Sequence, residues 1–301
     1  MKYLLLISQA WLLFFLPPQT PAQPAPAAVP PVSVETSLEA NEMGRIPILE
    51  YHSIGPTEYR WTRSAENFRK DLEWLYNNDY VLLSIEDYAH DRYPIPAGKK
   101  PVVLTFDDGK PNQFRYLENG EIDPDCAVGI LDRFHEEHPD FGTAAVFYLN
   151  RYPFGSVAEA PQKLAYLYQT GRQIGYHTLD HNDLRYLGAG GTLAVLNEQK
   201  KMLEKWMPEG MPLSTLAYPH GWGPAGDRQE LSAMISVGLL IGAEPAYPLY
   251  HEKADPYRTP RIQAIDDEWL RHFGRPAGTI EKQDHPEKFD VFVSDGITDE
   301  I

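Results

Sequence analysis

Two short runs of the chain carry residue types that do chemistry together. The first is Val102-Val103-Leu104-Thr105-Phe106-Asp107-Asp108-Gly109, where a run rich in apolar β-formers ends in two adjacent carboxylates and a glycine. Such a run reads as a buried strand, and Gly109 frees the backbone to turn. At the turn both carboxylates can enter one pocket, where like charges repel unless a cation lies beside them. A divalent metal held by one Asp, with the other left as a base, resolves that repulsion. A plain Asp-Asp-Gly turn after a strand is the competing reading. The second run is His177-Thr178-Leu179-Asp180-His181, which follows the strand-like Gln173-Ile174-Gly175-Tyr176. Two histidines with three residues between them can face one metal. Thr178 stands where a His-Glu-x-x-His motif has its catalytic Glu, which disfavours a zinc-peptidase helix. Taken together, the runs supply one carboxylate and two imidazoles as ligands, plus a spare carboxylate base. That is an open three-ligand catalytic site rather than a closed structural one.

Thr105-Phe106-Asp107-Asp108-Gly109 and His177-Thr178-Leu179-Asp180-His181 resemble the first two motifs of the polysaccharide deacetylases, the NodB-like group of carbohydrate esterase family 4. The resemblance covers roughly residues 45–265. It implies that Asp107 is the base and that Asp108, His177 and His181 are the metal ligands. Two imidazoles and one carboxylate favour zinc, and cobalt, nickel or iron would also bind such a set. Leu216-Ala217-Tyr218-Pro219-His220-Gly221 resembles the Tyr-Pro-Tyr-Gly segment of the exopolysaccharide, poly-N-acetylglucosamine deacetylase-like branch, with His220 in place of the second Tyr. A Pro-Gly turn closing a strand is the alternative; on the functional reading a backbone N–H here helps hold an oxyanion. Tyr51-His52-Ser53-Ile54 resembles the Tyr-His start of the same branch, so His52 lines the pocket or packs. The family often sets an Arg beside the base, and its usual place, just after the strand preceding Pro219, holds none. Arg261 either substitutes or pairs at the surface with Asp266 or Asp267. Tyr218, His220, Arg261 and His52 are thus the expected substrate or oxyanion contacts. Many members also carry a late Leu-x-His whose histidine is the general acid. Here Leu270-Arg271-His272 lies in a helix-like stretch, and Ile262-Gln263-Ala264 holds no His. The acid then falls to His220, His52 or another group, or the activity is weak or lost.

These motifs sit in a chain where strand and helix patterns alternate, which predicts parallel strands with crossover helices. Strands are expected over residues 45–52, 80–83, 102–106, 143–148, 174–177, 213–218 and 239–242, with an edge strand over 289–293. Helices are expected from Ser64, Ser84 and Cys126, and over residues 160–170, 192–206, 227–237 and 266–273. Residues 110–125 read as a loop over the site. The polar motifs fall just after strands, where barrel enzymes build their sites. The fold class is α/β, and the distorted (β/α)7 barrel implied by the resemblance fits this count, over residues 45–273, with a polar extension over 274–301.

The 301 residues are 43% hydrophobic and 23% charged, ordinary for one large domain. A net charge of −16 makes nucleic acid and anionic membrane surfaces poor partners. Residues 1–22 read as a secretory signal: Lys2, an apolar stretch to Leu16, and small residues at Thr20-Pro21-Ala22. Residues 23–44 are a Pro/Ala-rich linker. The chain is therefore expected to be exported, periplasmic or extracellular, with cleavage near Ala22 and no integral span afterwards; an uncleaved N-terminal anchor is the alternative. The only cysteine, Cys126, reads as a buried apolar residue. The resemblance implies a monomeric, metal-dependent hydrolase taking acetyl groups, N-acetyl ahead of O-acetyl, from a polysaccharide or oligosaccharide. A barrel that kept its fold as a carbohydrate-binding or scaffolding protein is the alternative. Phosphate-ester hydrolysis is disfavoured, because no Gly-rich phosphate cradle or basic cluster adjoins the motifs.

Overall fold

The structure is a computed structural model that describes residues 39–226, 228–242 and 244–297, all within the unit Thr36–Ile301. The expected leader, most of the linker and residues 298–301 lie outside the described residues. The strands are β1 (Ile48–Tyr51), β2 (Ser53–Gly55), β3 (Thr62–Ser64), β4 (Tyr80–Leu82), β5 (Lys100–Phe106), β6 (Val146–Leu149), β7 (Gln173–Tyr176), β8 (Thr215–Ala217), β9 (Val237–Leu239) and β10 (Ile262–Gln263). The helices are α1 (Ala65–Asn77), α2 (Ile85–Ala89), α3 (Ala127–Glu137), α4 (Ala160–Gln169), α5 (Gly188–Leu203) and α6 (Asp266–Phe273). None of the helices among the described residues is long and apolar enough to cross a membrane.

Seven strands follow one another in the order β10-β1-β5-β6-β7-β8-β9, and every pairing is parallel. β4 adds to the first half of β5. Every residue of β5 is buried, as expected of a central parallel strand covered on both faces. The sheet curls because one segment meets both of its ends: Thr259 bridges Leu239 of β9, and Ile262 is the register partner of Leu49 in β1. The result is the (β/α)7 barrel type of fold. Local signals place the helices. Ser64 Oγ accepts from the Asn67 N–H and caps α1, which buries Phe68, Leu72 and Leu75. Cys126 is fully buried, and its Sγ accepts from the Gly129 N–H at the start of α3.

Several elements differ from the sequence expectation. The helix expected over 227–237 is a short 3-10 turn, Gln229–Ala233, and β9 begins earlier than expected. Gly238 is central to β9 because a Cβ there would lie 2.2 Å from the Tyr218 hydroxyl. α5 starts at Gly188 rather than at Thr192, and the Thr192 hydroxyl donates back to the Gly188 carbonyl. The edge strand expected over 289–293 is reduced to single bridges, Arg45↔Val291 and Asn41↔Val293. Close packing allows them: a Cβ on Gly44 would meet the Val291 carbonyl at 2.3 Å.

The chain after α6 is fastened to the barrel through charge. Asp71 of α1 is fully buried. It accepts from Arg63 Nε at 2.8 Å and Nη2 at 2.7 Å, from the Tyr51 hydroxyl at 3.1 Å, and from Arg275. One carboxylate thus offsets two buried guanidinium groups from opposite ends of the fold. Removing it takes from Arg275 its carboxylate partner in a low-dielectric interior and leaves Arg63 with only the more exposed Glu58 and Asp266. Asp71→Ala is therefore expected to lower unfolding free energy by about 3–5 kcal/mol, read from the urea midpoint; a loss below about 1 kcal/mol would mean that the network contributes little.

Candidate active site

The carboxyl ends of the strands open onto one cavity of about 690 Å³. In five strands the first residue past the strand lines it: His52 after β1, Asp107 after β5, Asn150 after β6, His177 after β7 and Tyr218 after β8. Asp108, His181, His220, Trp61 and Ile241 complete much of the wall. This is the face on which parallel barrels carry their sites.

Asp108, His177 and His181 are brought together. Asp108 Oδ1 lies 3.4 Å from His177 Nε2 and 3.6 Å from His181 Nε2. Their donor atoms all fall within 4.8 Å of one another. His177 Nδ1 lies 2.7 Å from the Ala217 carbonyl of β8. A carbonyl can only accept, so Nδ1 carries the proton and Nε2 keeps its lone pair. That Nε2 is buried and has no hydrogen-bond partner. A buried ring nitrogen without a partner, pointed at a second imidazole and a carboxylate, fits a divalent cation of the zinc type. The backbone is bent to achieve this. Asp108 (φ 75°), Thr178 (φ 56°), His181 (φ 52°) and His220 (φ 59°) are all left-handed, a conformation costing about 1–3 kcal/mol per residue at such sites. Asn150 helps hold the histidine turn by donating to the carbonyls of His177 at 3.0 Å and Thr178 at 2.8 Å. Burial pushes the His177 imidazole down, but the Asp107 and Asp108 charges outweigh it and leave it raised. Burial, and then His177, bring His181 down to about 4. Burial opposes ionisation of Asp108, yet His177 holds its carboxyl well below the usual range.

Asp107 belongs to a different cluster. Arg261 clamps it with Nη1 on Oδ1 at 2.8 Å and Nη2 on Oδ2 at 2.7 Å. Arg261 is fully buried and also donates to Thr105 Oγ1 and the Leu240 carbonyl. Burial alone would raise the Asp107 carboxyl; the guanidinium reverses the sign and keeps it ionised. Glu50 and His52 lie beside it, with donor atoms of all three within 4.8 Å. Burial pushes Glu50 up to about 7, against the pull of Arg261.

Each expected site residue can now be placed. Asp107, Asp108, His177, His181, His52, Tyr218 and His220 line one cavity. The surface alternative for Arg261 does not hold: Arg261 is interior, and Asp266 pairs instead with Arg63 at 2.7 Å. The oxyanion role expected of the backbone at Tyr218 needs correction. Its N–H donates to the Leu239 carbonyl at 3.0 Å and its hydroxyl to the Tyr257 carbonyl at 3.0 Å, so both donors are committed to the fold. His272 bonds Glu268 within α6 at 3.0 Å and is not among the cavity-lining residues. Glu50 and Asn150 were missed. Glu50 left a signal, a lone charge inside the apolar run Ile48-Leu49-Glu50-Tyr51; Asn150 left none.

The fold and site define a class: a parallel α/β barrel with an open two-imidazole, one-carboxylate donor set at its strand ends and a clamped carboxylate alongside. Residues 95–234 match the family model for polysaccharide deacetylases. The chain is 29% identical over 105 residues to a probable peptidoglycan-N-acetylglucosamine deacetylase of Arthroderma benhamiae, a match covering 35% of this chain and 20% of that protein. The chain thus spans well under two thirds of that relative. Its fold is similar to the Streptococcus pyogenes deacetylase PplD in complex with acetate, with TM-score 0.56, 22% identity, and 73% and 92% of the two chains covered. It is also similar to IcaB from Ammonifex degensii, with TM-score 0.54, 20% identity, and 76% and 95% covered. Over residues 95–234 the chain is thus similar to the polysaccharide deacetylases.

The raised Glu50 carboxyl makes stability depend on pH. Unfolded, Glu50 ionises near its ordinary 4.5; folded, only near 7. The folded state holds that proton more tightly, so its stabilising share is complete below 4.5 and is lost as pH climbs through about 7. With chelator present, Glu50→Gln is expected to melt above the wild type at about pH 8 and level with it near pH 4.5. Thermal melts across that window check this; a difference that does not vary with pH would count against it.

Proposed function

We propose that this chain is an exported, metal-dependent hydrolase that removes acetyl groups, N-acetyl ahead of O-acetyl, from a polysaccharide. The observation that carries the reading is the His177 Nε2: buried, without a partner, fixed in tautomer, and facing Asp108 and His181 beside a clamped, ionised Asp107. Asp108, His177 and His181 would hold the cation, with zinc favoured and cobalt, nickel or iron compatible. Such a cation supplies Lewis-acid polarisation of a carbonyl and lowers the pKa of a coordinated water toward ~7. Export rests on the leader-like residues 1–22, and the glycan class on the activities for which the relatives are named.

The residues of the chain then divide the proton work. Asp107 accepts a proton from water at a carboxylate oxygen, held there by the two Arg261 N–H groups. The water oxygen bonds to the acetyl carbonyl carbon. The C–N bond breaks, and His52 delivers a proton to the departing nitrogen. Acetate and a free amine result. His52 is preferred over His220 as the acid because it sits in the Asp107 cluster, whereas the His220 ring meets His181 edge to face with centroids 4.5 Å apart.

Asp107→Asn is expected to cut acetate release from acetylated chitooligosaccharide by about 10²–10⁴ while leaving bound metal unchanged. His177→Ala is expected to lose metal and activity together. Metal analysis beside an acetate assay, with and without chelator, reads both. Full turnover by Asp107→Asn would remove the base assignment; binding of the glycan without acetate release by the wild type would favour the carbohydrate-binding alternative.

A further inference from the structure

Glu50 has no place in the chemistry above, yet it is built into the site. It lies one residue from the end of β1, and its side chain is fully buried. Oε2 accepts from the Gly242 N–H at 3.0 Å. Oε1 is buried and has no hydrogen-bond partner. A buried carboxylate oxygen without a donor is costly, so such an atom calls for a partner. The donor facing it is His52 Nδ1, at 3.7 Å. Residues two apart on an extended chain share a face, which puts Glu50 and His52 on the same side. Asp107 lies in the same cluster, with each of its oxygens already accepting from Arg261. Across the sheet, Gln263 of β10 is the register partner of Glu50. Its Nε2 is likewise buried without a partner. Glu50, His52 and Gln263 line one small cavity together.

We propose that Glu50 is a positioning residue for the reaction: its Oε1 accepts the Nδ1–H of His52 and so presents His52 Nε2 to the leaving nitrogen. Gln263 Nε2 and the Gly242 N–H steady the carboxylate from the other side. The hydrogen bond selects one tautomer of His52, in the way that the Ala217 carbonyl selects one for His177. The donor is the imidazolium, which carries a proton on each nitrogen: the Nε2 proton goes to the leaving nitrogen, and the neutral ring that remains keeps its proton on Nδ1. The proposal rests on the deacetylase reading with His52 as the acid.

The test compares two substrates. An N-acetylated chitooligosaccharide has an amine leaving group that must be protonated. An aryl acetate ester with an acidic phenol leaves without a proton. Glu50→Met is expected to lower kcat on the glycan by about 10–100-fold, a part of what an acid contributes. KM, bound metal and aryl acetate turnover should stay within about twofold, because the base and the donor set are untouched. Glu50→Gln, whose amide oxygen can accept the same N–H, should recover most of the glycan rate. Nitrogen NMR of labelled imidazoles in the wild type should find the neutral His52 ring protonated at Nδ1. Unchanged glycan turnover in Glu50→Met overturns the proposal. So does an equal loss on both substrates, which marks a structural role, or a His52 ring protonated at Nε2. A wild type that releases acetate from neither substrate overturns the deacetylase reading and this proposal with it.

Discussion

The structure depends on the buried ion pair between Arg261 and Asp107. Taking both charges out of water costs several kcal/mol per ion, and the pair is tolerable only when its geometry is good and the remaining donors are met. Here they are. The guanidinium makes two contacts to Asp107 and one each to Thr105 and Leu240. Arg261 directly precedes β10, in the segment that joins β9 to β1. Closing the barrel and charging the site are therefore one event: a chain that failed to seat β10 would leave Asp107 buried without its cation, and burial would then favour its neutral form. The charge of Asp107 is thus held by a residue more than a hundred and fifty positions away in the sequence.

The second constraint is backbone shape at the strand ends. A strand points successive side chains to opposite faces, so Asp107 and Asp108 would diverge if β5 simply continued. The left-handed turn at Asp108 brings its carboxylate round to the two imidazoles while Asp107 stays with Arg261. The same device at Thr178 and His181 folds the histidine turn back over its own strand. These conformations persist because neighbours fix them, through Asn150 on the carbonyls and the Thr178 hydroxyl on the Asn182 N–H. Strain and ligand geometry thus have one cause.

What was legible in the sequence follows from which signals are local. β5 and its Asp-Asp-Gly end could be read because a continuous apolar run closed by a turn residue has few other interpretations. The helix starts at Ser64 and Ser84 were visible for the same reason. Three things were not. β9 could not be placed, because Val237-Gly238-Leu239 is too short to carry periodicity and its glycine is explained only by the hydroxyl of Tyr218. The partner of Arg261 could not be decided, because residues 107 and 261 meet through closure rather than proximity in sequence. The use of the Tyr218 N–H could not be read either, because its bond to the Leu239 carbonyl exists only in the assembled sheet. Local pattern gives elements and motifs; which donors remain free is a property of the assembled sheet.

The same distinction separates the two histidines at the mouth of the cavity, which the motifs alone left equivalent. His220 is held left-handed and exposed, with its ring against His181. His52 stands on the far side of Asp107, among carboxylates. Burial holds its imidazole below the usual range, and the charges of Asp107 and Asp108 offset only part of that. A proton donor needs an environment that accepts its charge before transfer and releases the proton readily afterwards. On the proposed reading His52 meets that need, because the negative charge that favours the imidazolium and the burial that disfavours it act on the same ring. The separation of the Asp108–His177–His181 cluster from the Glu50–His52–Asp107 cluster is thus set by where Arg261 enters the ring, between the strand that carries Asp107 and the one that carries Glu50 and His52 on one side and β9 on the other.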